Sequence, residues 1–272
     1  MIKIEKNTLQ QEVWFPRTER GDNTFRKTYQ DGFDDGYQDG QLSQKVKLYD
    51  GMELAYSTIG SLDVFDFSDV VDIYGLFSHC KFTEDYYDFS KYPFITNADS
   101  VNETFSNFEC YKDNCKFIMK FKKMVANNTF YGCKGNKNGI LDCTLTEKVK
   151  EMNGWFGYNS LFKKIDIYAD FSQCTKFYRF FSYSDAYSFD GREINFHHFD
   201  MSMEKDVTED IFNSNNKRNV IRIDNTSPRS TFTRLLDDGT RYNHLDWTYC
   251  YGKERWTYDT TKKEWVLSGY DE

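Results

Sequence analysis

Proline is almost missing from this 272-residue sequence, with three in all, at positions 16, 93 and 228. No Pro- or Ser-rich linker divides the chain, so its parts are expected to pack against one another. Histidine is nearly as scarce, at four. His197 and His198 are neighbours in an expected strand, where adjacent side chains point to opposite faces. They are therefore not expected to share a metal, and His79 and His244 read as structural. The seven cysteines are odd in number and form no CxxC pair, which makes free thiols the default expectation. Positive charge is also short: 35 Lys and Arg face 43 Asp and Glu, for a net charge of -8. Nucleic-acid binding starts from a basic patch. Lys116, Lys120, Lys122 and Lys123 form the one basic cluster, so a nucleic-acid partner is not expected.

Long apolar runs are lacking too. The opening Met1-Ile2-Lys3-Ile4-Glu5-Lys6 has no apolar h-region of a signal peptide, and no stretch is long and apolar enough for a membrane-spanning helix. No GxSxG elbow, HExxH or P-loop occurs. Gly132, Gly135 and Gly139 lack the GxGxxG spacing. Acidic pairs such as Asp66 and Asp69 have the right side chains for a glycosidase, but turn chemistry accounts for them more simply. The expectation is a protein that is not an enzyme, with no catalytic, cofactor-binding or metal-ligating residue.

What is present in abundance is aromatic. Phe, Tyr and Trp make up 18% of the chain, with 25 Phe, 20 Tyr and 5 Trp. Phenylalanine also marks a repeat. Val70-Val71-Asp72-Ile73-Tyr74-Gly75-Leu76-Phe77 returns as Val149-Lys150-Glu151-Met152-Asn153-Gly154-Trp155-Phe156, and weaker copies end at Phe105, Phe130, Phe181 and Phe212. A period of 25 to 31 residues is the signature of stacked supersecondary units. Such solenoids usually bind or build rather than catalyse. The six phenylalanines are the expected repeat core.

Each unit opens on a short apolar segment read as a strand: Leu62–Phe65, Tyr86–Phe89, Phe117–Met119, Ile140–Cys143, Ile165–Tyr168, Ile194–Phe196 and Val220–Ile223. A turn follows, three times spelled Asp-Phe-Ser, at 66–68, 88–90 and 170–172. The segment before each marker is expected to be a short helix. Val70, Ile73 and Phe77 are spaced three and four apart, as are Val149, Met152 and Phe156, which suits one buried helical face. Cysteines just after the markers, such as Cys80 and Cys133, read as a buried ladder of small apolar residues.

Two segments flank the repeat. In residues 1–50, Trp14, Phe15 and Pro16 form a short apolar patch that either packs on the chain's own repeats or docks on a partner. Next come Tyr29-Gln30-Asp31-Gly32, Phe33-Asp34-Asp35-Gly36 and Tyr37-Gln38-Asp39-Gly40. Spacing by four puts Tyr29, Phe33 and Tyr37 on one helical face, beside a stripe of Gly32, Gly36 and Gly40 that would permit close backbone contact. A run of Asp-Gly turns is the alternative. A calcium loop is disfavoured, because an EF-hand spaces its acids by two and ends on a glutamate. In residues 224–272, Asp237-Asp238-Gly239 reads as a hairpin turn between Thr231–Leu236 and Arg241–Tyr251. Alternating aromatics (Trp247, Tyr249, Trp256, Tyr258, Trp265) read as the core of a small antiparallel meander that caps the repeats, with stacking on sugar rings as the alternative role. The expected organisation is an arm over 1–50, a solenoid over 51–223 and a β cap over 224–272.

The unit Phe65-Asp66-Phe67-Ser68-Asp69-Val70-Val71-Asp72-Ile73-Tyr74-Gly75-Leu76-Phe77-Ser78-His79-Cys80 resembles the BspA-like leucine-rich-repeat family, whose units run strand, then D-F/T-S, then V-x-D/N-M-x-x-M-F-x-x-C. The match covers roughly 60–215 and departs from the pattern after Phe156, Phe181 and Phe212, where the cysteine is missing. The resemblance implies an α/β solenoid of irregular strand–turn–short-helix units, of the kind used by bacterial surface adhesins and phage structural proteins. The tetrads and Val13-Trp14-Phe15-Pro16-Arg17 are similar to N-terminal segments of tailed-phage virion proteins from gut Bacteroidetes phages, the crAss-like group included. Together these imply a homo-oligomeric virion protein made in the host cytoplasm: a head fibre, capsid decoration or tail appendage. Trp14, Phe15, Pro16, Tyr29, Gly32, Phe33, Gly36, Tyr37 and Gly40 would anchor it to other virion proteins. The alternative is a bacterial surface adhesin recognising a host protein or glycan.

Overall fold

The computed structural model describes residues 45–49, 54–98, 101–122, 129–174, 176–178, 191–200, 206–207, 219–239 and 247–272. The segment expected to form a helical arm, with Trp14 and the Tyr/Gly tetrads, lies outside the described residues.

The described chain is a β-solenoid, with strands numbered here in chain order. One wall is a nine-stranded sheet. Its first seven strands are β5 (Tyr86–Asp88), β7 (Lys116–Phe121), β9 (Gly139–Leu145), β11 (Phe162–Tyr168), β13 (Glu193–His197), β15 (Val220–Ile223) and β16 (Thr248–Tyr251). All are parallel. The sheet closes with β17 (Glu254–Asp259) and β18 (Glu264–Tyr270), which are antiparallel. A second wall holds β2 (Thr58–Ile59), β4 (Lys81–Phe82), β6 (Glu109–Cys110) and β8 (Lys134–Gly135), again all parallel. Shorter parallel sets pair β1 (Val46–Tyr49) with β3 (Phe65–Asp69), and β10 (Glu151–Asn153) with β12 (Lys176–Tyr178) and β14 (Asp206–Val207).

Register explains the apolar pattern. Tyr87, Phe117, Leu141, Ile165, Ile194, Ile221 and Tyr249 fall opposite one another across the sheet, and all are buried. Each is two residues from another inward position, because strand side chains alternate between faces. β-branched and aromatic residues suit such a pleated, half-buried surface. Six of the seven expected strand segments are strands. The exception is Leu62–Phe65, where Leu62–Val64 is a 3-10 turn capped by the Ser61 hydroxyl and only Phe65 enters β3.

Contrary to the expected short helices, no helix runs into a marker phenylalanine among the described units, although the unit ending at Phe105 holds one turn of helix earlier, at Pro93–Thr96. Residues 70–80 and 101–108 are turns, and in the copy at 149–156 the chain is β10 followed by a turn. The cause is a pair of left-handed residues around Phe77, Phe105 and Phe156, and the later one of the two after Phe130. Two positions before it stand Gly75 (φ 65), Glu103 (φ 54) and Gly154 (φ 61). Two positions after stand His79 (φ 57), Asn107 (φ 52), Gly132 (φ 70) and Tyr158 (φ 53). A right-handed helix cannot pass through either position. The three-four spacing instead reports a corner that turns Val70, Ile73 and Phe77 inward, and all three are buried.

Two α-helices are present among the described residues, α1 (Pro93–Thr96) and α2 (Arg229–Gly239). The second corrects the expected hairpin, because Thr231–Leu236 is helical. Phe232, Leu235 and Leu236 are buried and lie at i, i+3 and i+4. Asp237-Asp238-Gly239 closes the helix rather than turning a hairpin. The meander itself is β16–β17–β18. Its first strand is also the last parallel rung, since β16 pairs with β15.

Candidate functional site: the stacked columns and the outer sheet face

The marker phenylalanines form a continuous inner column. Phe77, Phe105, Phe130 and Phe156 are all completely buried. Their rings stack in sequence, with centroids 5.4 Å apart for Phe77–Phe105, 5.7 Å for Phe105–Phe130 and 5.4 Å for Phe130–Phe156, and interplanar angles of 14°, 20° and 5°. The other two markers, Phe181 and Phe212, lie outside the described residues. Backbone bonds hold the same corners together: Phe77 N–H donates to Thr104 O, His79 N–H to Ser106 O, Phe130 N–H to Trp155 O and Gly132 N–H to Gly157 O. The column has a rung that the sequence hides. Leu54 N–H donates to Leu76 O, and Tyr56 (φ 64) occupies the left-handed place two residues on. Among the described residues, Leu54 thus begins the column without an aromatic ring.

The cysteines after the markers are bonded as well as buried. The Cys80 thiol donates to Leu54 O at 2.9 Å, and the Cys133 thiol reaches Phe130 O at 3.1 Å and Phe105 O at 3.3 Å. Burial pushes both thiols up, away from reactive thiolate.

Each Asp-Phe-Ser triplet is an Asx turn. The carboxylate accepts the backbone N–H two residues on, at 2.9 Å for Asp66–Ser68, 3.1 Å for Asp88–Ser90 and 2.9 Å for Asp170–Ser172. The phenylalanine between goes inward, with Phe89 and Phe171 fully buried. Asp224 repeats the device without the phenylalanine, accepting from Thr226 Oγ1 and Ser227 N–H. The backbone bond from Ser68 lowers the Asp66 carboxyl, and bonds from the Ser172 hydroxyl and backbone lower Asp170.

The outward side of the nine-stranded sheet carries a column that is polar except at Ile118: Asp88, Ile118, Asp142, Asp166, Asn195 and Arg222. Its groups bridge neighbouring coils. Asn195 Nδ2 donates to Asp166 at 2.7 Å, and Lys116 lies 3.9 Å from Asp142. His197 lies between two carboxylates, 3.4 Å from Asp166 and 3.7 Å from Asp224, with its ring 4.0 Å from that of Tyr168. Arg222 bonds Asp271 and lies 3.6 Å from Glu193. Burial pushes Asp166 up, but bonds from His197 and Asn195 outweigh it, and the carboxyl ends below its ordinary range. Burial is likewise outweighed at Asp224, by the Thr226 and Ser227 hydroxyls.

His198 departs from the expected alternation. It sits at φ 60, outside the strand, and its N–H donates to Asp224. Both histidines therefore engage the same carboxylate, although no group of three metal-ligating side chains assembles among the described residues.

Two further clusters escaped the sequence. Arg192 is fully buried and ties three coils together: Nη2 donates to Asn159 O at 2.7 Å, Nε to Phe162 O at 3.1 Å, and its own N–H to Asn219 Oδ1 at 2.9 Å. Nothing in Asp190-Gly191-Arg192-Glu193 marks it as a core residue. In the cap, the Arg229 guanidinium lies over Tyr251 (4.7 Å), Phe232 (5.2 Å) and Trp256 (5.4 Å) and is held by Glu254 at 2.6 Å. Of the cap aromatics, Trp247 and Tyr249 are buried, and Trp265 packs its ring on Tyr249 and Tyr258 while donating to Leu236 O.

Gly135 has a steric role. A Cβ there would fall 2.1 Å from Cys110 O and 2.4 Å from Leu161 Cδ1. The glycine is needed for coil-to-coil contact.

A scan of protein families, a search of curated proteins and a search of solved structures each find no match to this chain. No described helix is long and apolar enough to cross a membrane.

Proposed function

We propose that the chain is a non-enzymatic structural component of a phage particle, a head fibre, capsid decoration or tail appendage, in which the solenoid is a stiff body and residues 1–50 attach it. One observation carries the non-enzymatic part. The outer-face side chains best suited to acid–base chemistry, Asp166, His197 and Asp224, are engaged with each other across successive coils, and Asp224 also closes a turn. They act as inter-coil ties. The virion part rests on the resemblance of residues 13–17, 29–40 and 65–80. Other virion proteins and sister copies are the partners it implies.

Sedimentation tests the reading. Particles purified from cultures of the encoding organism on a density gradient should carry this chain, detected by peptide mass spectrometry. Recovery in the cell envelope, with none in the particle band, would sink the virion reading in favour of a surface adhesin. Within the particle reading, Trp14→Ala with Phe15→Ala should reduce incorporation without changing the thermal stability of the free protein.

A further inference from the structure

Cys110 and Cys115 differ from the other described thiols. Cys110 ends β6, Cys115 immediately precedes β7, and the exposed corner Tyr111–Asn114 joins them. Both are fully buried and free, the Cys110 thiol lies 3.8 Å from Glu84 O, and each thiol shifts the other's acidity. The next coil gives independent evidence that these two positions converge. Cys110 stands in register with Gly135. Lys116 is in register with Ile140, whose N–H donates to Cys115 O, so Cys115 lies beside Gly139. Cβ atoms at Gly135 and Gly139 would lie 2.4 and 3.0 Å from the same carbon, Leu161 Cδ1. Cβ positions at Gly135 and Gly139 are therefore within about 5.4 Å of each other, a bound that includes the ~3.5–4.5 Å of a disulfide, and Cys110 and Cys115 occupy the places in register with them one coil earlier.

We propose that Cys110 and Cys115 are a redox pair that closes to a disulfide across this corner when a small disulfide such as oxidised glutathione reaches it. The roles of the two sulfurs are unequal. The neighbouring Cys115 thiol holds Cys110 below the ordinary thiol range, whereas the Cys110 thiol, together with burial, pushes Cys115 up. Cys110 is therefore the attacking thiolate. It displaces one glutathione thiolate, which takes up a proton, and forms a mixed disulfide. Cys115 then loses its proton to solvent, attacks the Cys110 sulfur and releases the second glutathione. Two protein thiols are oxidised and one glutathione disulfide is reduced to two thiols. Because both sulfurs are buried, the corner must open for the first step. Cys80 and Cys133, held by backbone carbonyls at 2.9 and 3.1 Å against 3.8 Å from the Cys110 thiol to Glu84 O, are not expected to react.

The experiment uses the full chain, equilibrated overnight in glutathione buffers of graded disulfide-to-thiol ratio, then acid-quenched, unfolded, alkylated and peptide-mapped. The expected result is two fewer alkylated cysteines than the seven in the sequence, with a peptide two hydrogens lighter joining Cys110 to Cys115. Dithiothreitol should restore all seven. Seven alkylated thiols at every ratio, or a disulfide between other cysteines, overturns the proposal. Cys115→Ser should stop at a glutathione adduct on Cys110. If that variant fails to fold, a quenched time course of the unmodified protein serves, and a glutathione adduct first seen at Cys115 would refute the assigned roles. The outcome does not depend on whether the protein belongs to a particle.

Discussion

Phe130→Ala should be among the most damaging single changes in this chain. The ring is wholly buried, stacked on Phe105 and Phe156, and touched edge-on by Phe162 at 5.9 Å and 88°. Truncating such a side chain costs ~3–5 kcal/mol through lost transfer energy and the cavity left behind. At ~2–4 °C per kcal/mol for a domain of this size class, the melting temperature should fall by about 10 °C. Phe130→Leu should cost less, because Leu54 already fills the same place in the first coil. It forfeits chiefly the stacking, ~0.5–1.5 kcal/mol per aromatic pair. The sharper test is coupling. Phe130 touches Phe156 but is separated from Phe77 by Phe105. Thermal and urea unfolding of the double variants should give non-additive losses for Phe130→Ala with Phe156→Ala, and additive losses for Phe130→Ala with Phe77→Ala. A fall of less than about 2 °C for Phe130→Ala, or equal coupling for both pairs, would refute the idea of a column with nearest-neighbour contacts.

Gly135→Ala should destabilise by roughly 1–3 kcal/mol, since the new methyl meets a backbone carbonyl that cannot swing aside; an unchanged urea midpoint would mean the coils can separate there. Arg192→Ala should cost about 2–5 kcal/mol by leaving two buried carbonyls of one neighbouring coil, Asn159 O and Phe162 O, without their donor, while a loss under 1 kcal/mol would show that water replaces it. Acid should weaken the outer face. Asp166 and Asp224 have folded pKa values below the ordinary 3.8, so their contribution is complete above that value and is lost as pH falls through the lower folded values. Asp166→Asn should therefore flatten the fall in melting temperature below about pH 4, and an unaltered pH profile would sink this assignment.

The strands were legible because each buries one face. Val220-Ile221-Arg222-Ile223 and Ile165-Asp166-Ile167-Tyr168 alternate as a half-buried strand must. The marker phenylalanines were legible because a stack needs the same ring at every coil. Leu54 broke that identity, so the first rung went unseen. The corners were misread because three-four spacing of apolar residues is also satisfied by a turn with two left-handed residues, and only Gly75, Gly132 and Gly154 hinted at one. Glu103, His79, Asn107 and Tyr158 adopt the same conformation without being glycine. The helix at Arg229–Gly239 was hidden by Asp-Asp-Gly, which ends a helix as readily as it turns a hairpin. The ties of the outer face were least visible. Asp166 meets His197 and Lys116 meets Asp142 across coils of unequal length, so no fixed offset along the sequence reveals them.

Strand register has a further consequence, for length. Neighbouring parallel strands are spaced by about 4.8 Å whatever their side chains. Each coil therefore adds the same increment along the axis, whether it spends 24 residues, as from Phe117 to Leu141, or 30, as from Tyr87 to Phe117. Residues inserted at a corner widen the body but leave its length alone. Length changes only by whole coils, in steps, so the chain behaves as a ruler graduated in single strands, and the reversal of direction at β17 fixes where its last parallel graduation falls.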